Sequence, residues 1–210
     1  MTDHLVIDAQ WPDAAVLTRA ASVLESGRLV VFPTDTLYGL AADPRQPAAV
    51  ASLVEAKGRE AAQAVPLIAA DLAQVEATMG PLGPAARRVA ARLWPGPLSL
   101  VLDAPAPLVR AGVTVAGTVA VRVPAHAVAR ELARAFGYPV TATSANRSGH
   151  PAHADARSAV DDLGAAVALV LDAGPVPGGL PSTIVRIAGD EATLVRAGAV
   201  SFERVLELLR

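Results

Sequence analysis

Residues 30–40 join an apolar run directly to a polar loop, and this junction sets the expectations for the whole chain. The run 30–32 predicts a strand that ends at Pro33, because proline has no N–H to donate to a neighbouring strand. Polar side chains and a glycine follow at once: Thr34, Asp35, Thr36, Tyr38 and Gly39. Ligands of α/β proteins bind beyond the carboxyl ends of strands, so the segment predicts a binding site. The alternative is an ordinary polar turn in which Gly39 supplies a permissive backbone.

Strand and helix patterns alternate along the rest of the chain. Helical periodicity, caps and prolines predict helices at residues 12–26, 47–56, 71–78, 84–93, 125–135, 155–163 and 201–209. Apolar runs predict strands at residues 5–7, 28–32, 65–69, 98–102, 118–123, 138–142, 167–171, 182–187 and 192–195. Because the alternation is not strictly βαβ, we predict an α/β fold with a mixed sheet and helices outside it.

Composition excludes several classes of protein. The 210 residues are 52% hydrophobic, which suits a substantial core, and we expect one domain that covers residues 1–210. No uncharged apolar run reaches the roughly 18 residues of a membrane span, and no secretory signal is visible. The absence of cysteine excludes thiolate chemistry and disulfides and is typical of a cytoplasmic protein. A net charge of −2 argues against a generally basic nucleic-acid-binding surface, while leaving room for a local basic cavity.

The common nucleotide-binding signatures are absent from the sequence. It contains neither G-x-x-x-x-G-K-[ST] nor G-x-G-x-x-G, and the glycine-rich residues 178–183 include no lysine. His150 and His153 are three residues apart and could form half of a metal site. Because no third ligand accompanies them, a solvated loop is favoured, and we predict no metal held by the protein itself.

Cations and small polar groups follow several of the apolar segments. Lys57 is the only lysine among 18 basic residues, which indicates a position that requires a compact ammonium. With Arg59 it would place positive charge at a helix end, where the helix dipole also favours cations. Arg122 lies inside an apolar strand and therefore needs a partner, either a carboxylate of the protein or a ligand.

Hydroxyls and an amide complete this inventory at Ser144, Asn146 and Ser182, and a further cation follows at Arg196. Such groups can surround a phosphate or the edge of a base, or can simply satisfy a turn. No general base with a tuned pKa is evident. The set suits catalysis by positioning and charge stabilisation, as in transfer reactions at phosphorus.

Taken together, these segments resemble the motifs of the YrdC-like threonylcarbamoyl-AMP synthases. The matching segments, in the family's order, are PTDTLYGL (33–40), KGR (57–59), WPGPL (94–98), RVPAH (122–126), TSANRSG (143–149), STIV (182–185) and RAG (196–198). The resemblance implies the single-domain form of the YrdC-like fold, with a twisted mixed sheet flanked by helices around a deep, positively lined cavity.

The resemblance also implies an activity. L-threonine and bicarbonate would combine to a carbamate that attacks the α-phosphate of ATP, and pyrophosphate would leave with the aid of Mg²⁺. The Mg²⁺ cofactor would be bound mainly through the ATP phosphates. The product, threonylcarbamoyl-AMP, would pass to a downstream tRNA threonylcarbamoyl transferase, which completes threonylcarbamoyladenosine in tRNA.

Site residues are implied by the same motifs. Those expected to bind L-threonine are Thr36, Arg122, Ser144 and Ser182, with Tyr38 shaping their pocket. Those expected to bind ATP are Lys57, Arg59, Thr118, Asn146 and Arg196, with Lys57 and Arg59 as the catalytic cations.

The segment after Arg59 departs from the family pattern. Members commonly have Pro-x-x-Asn-Pro-Leu and then a histidine, whereas residues 60–70 of this chain are EAAQAVPLIAA. Ala70 occupies the place of the histidine, and Gln63 is the candidate replacement for the asparagine amide.

Two other functions stay open on the sequence. A non-catalytic YrdC-like paralogue would bind RNA weakly through the same cavity; the altered segment favours this function and the acidic net charge disfavours it. A carbamoyl-adenylate-forming enzyme that uses carbamoyl phosphate is the other alternative, and the small size of the chain counts against it.

Overall fold

The predicted mixed α/β fold is confirmed, with the strands divided between two sheets. The computed structural model describes residues 2–58 and 64–210, so Arg59 and Gln63 lie outside the described residues. The strands are β1 (Asp3–Val6), β2 (Leu29–Phe32), β3 (Gly39–Ala41), β4 (Leu67–Ile68), β5 (Leu98–Asp103), β6 (Thr118–Arg122), β7 (Val140–Thr141), β8 (Thr143–Ser144), β9 (Val167–Asp172), β10 (Thr183–Ala188) and β11 (Glu191–Arg196). The helices are α1 (Ala14–Glu25), α2 (Pro47–Ala56), α3 (Leu72–Met79), α4 (Pro84–Leu93), α5 (Ala106–Ala111), α6 (Ala127–Phe136), α7 (Ala156–Leu163) and α8 (Phe202–Glu207), with a short 3₁₀ turn at Gly164–Ala166.

Prolines and a capping aspartate determine where three of the helices begin. Helices α2 and α4 start at Pro47 and Pro84, because proline fits the first helical position and lacks only an N–H that the helix leaves unpaired. The first helix was predicted from Pro12 but begins at Ala14, since the Asp13 carboxylate caps it by accepting from the backbone N–H groups of residues 15 and 16. Within the described ranges, no helix combines the length and apolarity needed to cross a membrane.

The two sheets adjoin where the chain passes from β7 to β8. One sheet has the order β1-β9-β2-β3-β8, and the other has the order β11-β10-β5-β6-β4-β7. The single strand predicted at 138–142 is in fact β7 in one sheet and β8 in the other, so the backbone changes sheet at Ala142. Hydrogen bonds hold this crossing: Thr141 Oγ1 accepts from Ala42 N at 2.7 Å, and Ala142 N donates to Pro66 O at 2.8 Å.

Helices cover the outer faces of both sheets. Helix α1 packs against β2 and β9, and helix α6 packs against α1 and β4; Leu17 of α1 and Leu132 of α6 lie in the same core cluster. Helices α4 and α8 pack through Val89 and Val205 against Leu100 and Val185 on one face of the second sheet. Because neighbouring side chains of a strand point to opposite faces, the residues that alternate with Leu100 and Val185 face away from α4 and α8.

Gly39 is required by packing rather than by backbone freedom. It pairs with Phe32 across the antiparallel strands β2 and β3. A Cβ atom at Gly39 would lie 2.9 Å from Cζ of the Phe32 ring, closer than real contacts allow. The glycine therefore lets β3 lie over the aromatic ring, and the permissive-turn interpretation does not describe its role. The short strand β3 itself was not predicted.

Candidate functional site

Residues from both sheets line a cavity of about 800 Å³. Seven of the residues implied by the family motifs contribute to its lining: Thr36, Tyr38, Thr118, Arg122, Ser144, Ser182 and Arg196. They come from segments far apart in the sequence, and the sheet junction brings them together. Within the part of the chain that the structure describes, the lining includes arginines and no carboxylate, so the cavity is suited to anions.

Arg122 ends strand β6 and is almost fully buried. Its predicted need for a partner is met by Asp35, whose Oδ1 accepts from Nη2 of the guanidinium. Burial lowers the pKa of Arg122 from its ordinary value, and the charge of Asp35 opposes this shift. Its Nε is buried and has no hydrogen-bond partner among residues 2–58 and 64–210. An unpaired buried donor carries a desolvation cost, while other atoms of the residue contribute to the cavity lining.

The turn after β2 is organised by Thr34. Its hydroxyl donates to Leu37 O at 2.7 Å and accepts from the backbone N–H of Thr36 at 3.2 Å. The two hydroxyl oxygens of Thr34 and Thr36 lie 3.1 Å apart. These bonds fix the turn locally, and they orient the Thr36 hydroxyl at the cavity wall.

Ser182 and Arg196 form a second polar cluster at the cavity. Arg196 Nη2 donates to the carbonyl oxygen of Ser182 at 2.8 Å and approaches its Oγ at 3.1 Å. The Ser182 hydroxyl also lies 3.0 Å from the hydroxyl of Ser99 on β5. Gly198 crosses so close behind this cluster that an added Cβ would collide with the Pro181 carbonyl. The close crossing holds the segments that carry Ser182 and Arg196 against each other.

The Tyr38 hydroxyl turns away from the cavity and toward the end of β9. It donates to Gly174 O at 2.7 Å and accepts from Ala173 N at 3.1 Å. Burial raises the pKa of Tyr38 to about 12, so the phenol stays protonated at neutral pH. Its backbone accepts from Ala145 N at 2.9 Å and donates to His153 O at 3.0 Å. Tyr38 thus fixes the wall of the cavity through its packing and backbone bonds.

Lys57 and Asn146 lie behind the wall of the cavity and not in its lining. The buried Nζ of Lys57 donates to Ser144 O at 2.6 Å and to Asn146 O at 2.7 Å. The Asn146 amide nitrogen donates to Arg147 O and His150 O, at 2.9 and 2.7 Å. Lys57 therefore ties the end of α2 to the loop that follows β8. This is a more specific arrangement than a cation favoured only by the helix dipole.

A carboxylate between two histidines anchors that same loop. Asp162 on α7 lies 2.7 Å from Nδ1 of His150 and 3.1 Å from Nε2 of His153. It also accepts from the backbone N–H of Arg147 at 3.0 Å. Desolvation opposes ionisation of Asp162, but the hydrogen bonds from His153, Arg147 and His150 outweigh it and lower its pKa to about 2. Among the described residues, no group of three or more His, Asp or Glu could hold a metal ion.

We expect Asp162→Asn to destabilise the protein at neutral pH and to do so less in acid. A depressed carboxyl pKa contributes stability above the ordinary value of about 4, and this contribution is lost as pH falls toward the folded-state value. Urea unfolding of wild type and variant between pH 5 and pH 2 measures it, and the difference in unfolding free energy should shrink below about pH 4. Asp161→Asn, on the exposed side of the same helix, is the matched control. A difference in unfolding free energy that did not change with pH would contradict the lowered pKa of Asp162.

Comparison with known proteins gives the family. The Sua5/YciO/YrdC family model, described as telomere recombination, matches residues 22–198. The chain belongs to this family. The resemblance drawn from the sequence motifs is therefore confirmed.

Family relatives resemble the chain over most of its length. A protein of Bacillus subtilis named threonylcarbamoyl-AMP synthase is 38% identical over 90% of this chain, which spans 55% of that relative. A protein of Mycobacterium tuberculosis named putative threonylcarbamoyl-AMP synthase is 41% identical over 92% of this chain, which spans 88% of it. A crystal structure of P. abyssi Sua5 complexed with L-threonine superimposes with a TM-score of 0.87 at 32% identity, covering 97% of this chain and 60% of that one. The chain thus spans little more than half of two of these family members and most of the third.

The structure adds cavity residues that the motifs did not supply. Ser99 and Arg186 both line the cavity. A signal for Arg186 exists in the sequence: Ser182, Ile184 and Arg186 alternate with Thr183 and Val185, which predicts that the first three share one face of a strand.

Proposed function

We propose that the protein is an L-threonylcarbamoyladenylate synthase, a nucleotidyltransferase that uses L-threonine, bicarbonate and ATP. The observation that carries the proposal is the convergence on one cavity of residues expected to bind two different substrates. The names of the family relatives, and the threonine bound to P. abyssi Sua5, support the same activity. We place the activity in the cytoplasm, as the cysteine-free composition predicts.

L-threonine would occupy the end of the cavity near Arg122. Its carboxylate would accept from the guanidinium of Arg122, which contributes to the cavity lining. The hydroxyls of Thr36 and Ser182 would supply neutral hydrogen bonds to the same amino acid. A charge-assisted bond in this partly desolvated place is stronger than the same bond in water.

The proposed reaction has two steps, in which the protein positions reactants and stabilises charge. The threonine amine adds to the carbon of bicarbonate, and loss of water gives the carbamate. A carbamate oxygen then forms a bond to the α-phosphorus of ATP while the bond from that phosphorus to the bridging oxygen breaks and pyrophosphate leaves. Such displacements depend on alignment and on cations that neutralise the developing charge. Arg196 would supply that positive charge at the cavity wall, and the motif adds Arg59 and, from behind the wall, Lys57.

The chemistry of the lining fits a magnesium ion that enters on the nucleotide. Mg²⁺ prefers oxygen ligands and commonly binds through substrate phosphates with few protein carboxylates. The described lining offers the hydroxyls of Thr36, Thr118 and Ser144 and no carboxylate. When bound, Mg²⁺ would neutralise charge on the leaving pyrophosphate.

Pyrophosphate release from ATP tests the proposal. We expect the purified protein to release pyrophosphate only when Mg²⁺, L-threonine and bicarbonate are all present. Omission of each component in turn is the control, and the product adenylate is identified by mass spectrometry. Release that did not depend on threonine would contradict the proposal. No release by folded protein, together with binding of RNA, would favour the non-catalytic paralogue instead.

A further inference from the structure

Arg186 lines the cavity, and the family motifs assign it to neither substrate. It lies on β10, two residues beyond Ile184, which also lines the cavity. Val185 between them is buried on the opposite face, in the core beneath α4 and α8. Because side chains alternate across a strand, Arg186 extends from the cavity face of the sheet.

The guanidinium of Arg186 is the uncommitted cation of the described lining. Arg122 pairs with Asp35, and Arg196 is hydrogen-bonded to Ser182. The backbone of Arg186 pairs with β5 and β11, but within residues 2–58 and 64–210 its side chain makes no hydrogen bond and no ion pair. Its side chain is exposed, and the described lining has no carboxylate that could neutralise it. A planar guanidinium in such a place is suited to grip an anion through two parallel hydrogen bonds.

Strand register places Arg186 between the two expected substrate positions. Arg186 pairs with Val101 of β5, and Val101 pairs with Ala120 of β6. Along β6, Ala120 lies midway between Arg122, expected to bind threonine, and Thr118, expected to bind ATP. Along β10, Arg186 is four residues beyond Ser182, or about 13 Å at 3.3 Å per residue.

We propose that Arg186 binds the β- and γ-phosphates of ATP, and therefore the pyrophosphate that leaves. This assignment rests on the proposed function. In an in-line displacement the attacking and leaving oxygens lie on opposite sides of the phosphorus. With the carbamate held near Arg122 and Ser182, the leaving group is directed along the sheet, away from that end. Among the described arginines of the lining, Arg186 lies farthest in that direction along β10, two residues beyond Ile184, with which Arg196 pairs.

Binding measurements with three anions test this assignment. Calorimetry would measure the affinities of Mg²⁺-ATP, pyrophosphate and AMP for wild type, Arg186→Gln and Arg186→Lys. We expect Arg186→Gln to lower the affinities for ATP and pyrophosphate by about tenfold, the scale of one charge-assisted hydrogen bond. AMP lacks the β- and γ-phosphates, so its affinity should change less than twofold, and the KM for threonine should also stay within twofold. Arg186→Lys should recover part of the loss.

A matched control removes the same charge elsewhere. Arg92 is exposed on α4, which packs on the other face of the sheet, so Arg92→Gln should leave all three affinities unchanged. If Arg186→Gln lowered the affinities for AMP and ATP equally, or lowered neither, the assignment of Arg186 to the β- and γ-phosphates would be overturned.

The two proposals fail in different ways. A wild-type protein that released no pyrophosphate, but lost pyrophosphate affinity on Arg186→Gln, would overturn the synthase activity and keep the phosphate contact. An active wild type whose pyrophosphate affinity did not change on Arg186→Gln would keep the synthase activity and overturn the phosphate contact. A wild type that bound neither ATP nor pyrophosphate would overturn both.

Discussion

Replacing Arg122 with glutamine should raise the KM for threonine by about 100-fold and destabilise the fold. The variant removes the guanidinium that lines the cavity and that we propose binds the threonine carboxylate. A hundredfold loss corresponds to about 2.7 kcal/mol. It also leaves Asp35 without its partner, and breaking a buried ion pair costs roughly 3–5 kcal/mol of stability. Threonine-dependent pyrophosphate release gives the KM, and urea unfolding gives the stability.

A double variant separates the structural from the binding contribution of Arg122. Asp35→Asn combined with Arg122→Gln removes both charges of the pair, so it should recover much of the stability that the single variant loses. It should not recover the KM for threonine, because the carboxylate-binding cation is still missing. If Arg122→Gln turned over threonine with the wild-type KM, the position assigned to the substrate carboxylate would be wrong.

Replacing Lys57 with alanine should cost at least ~2 kcal/mol of transition-state stabilisation, or about 30-fold in kcat/KM. The variant removes the ammonium that joins the carbonyl groups of Ser144 and Asn146, and it leaves those buried oxygens without this donor. The loop that carries both residues would lose its connection to α2. Steady-state pyrophosphate release over a range of threonine and ATP concentrations gives kcat/KM and so measures the loss.

Two further measurements show how Lys57 acts. Arg88→Ala, which removes an exposed cation from α4, is the control for charge and should keep the wild-type rate. Hydrogen exchange of residues 144–153 should become faster in Lys57→Ala, because the loop loses two hydrogen bonds. Wild-type turnover by Lys57→Ala would contradict the role we assign. A slow variant with unchanged exchange would place the effect of Lys57 on the nucleotide and not on the loop.

Helices were predictable where one residue decides their start. The predicted bounds of α2 and α4 match the structure, because Pro47 and Pro84 each occupy the first helical position. Helix α5 was missed, since its prolines at 105 and 107 and its length of six residues gave no helical period to detect. Its end is nevertheless marked by Gly112, whose φ of 80° lies in the left-handed region.

The division into two sheets could not be predicted from local patterns. The run 138–142 has the composition of one strand, yet it divides at Ala142 because Thr141 and Thr143 pair with different partners. Such pairings join residues distant in the sequence, and a propensity carries no information about them. Strand β3 was missed for the same reason, since three residues become a strand only through their neighbours β2 and β8.

Polar residues at strand ends were a sound guide to which segments would meet, but not to which atoms would face the cavity. The sequence indicated that Arg122 needs a partner, and long-range folding determines that Asp35 supplies it. Lys57 was predicted as a cation of the site, and the structure shows its Nζ bound to backbone carbonyls behind Ser144. Side-chain direction depends on the packing around each loop, which a motif does not encode.

The hydrogen bonds from Arg196 to Ser182 join a residue expected to bind ATP to one expected to bind threonine. A nucleotide that reoriented the Arg196 guanidinium would change the donors available to the Ser182 hydroxyl, and threonine bound at Ser182 would in turn change the environment of Arg196. By linkage, each substrate then alters the affinity of the other by the same factor. Under the proposed function, we therefore expect the binding of ATP and of threonine to be coupled through the Arg196 side chain.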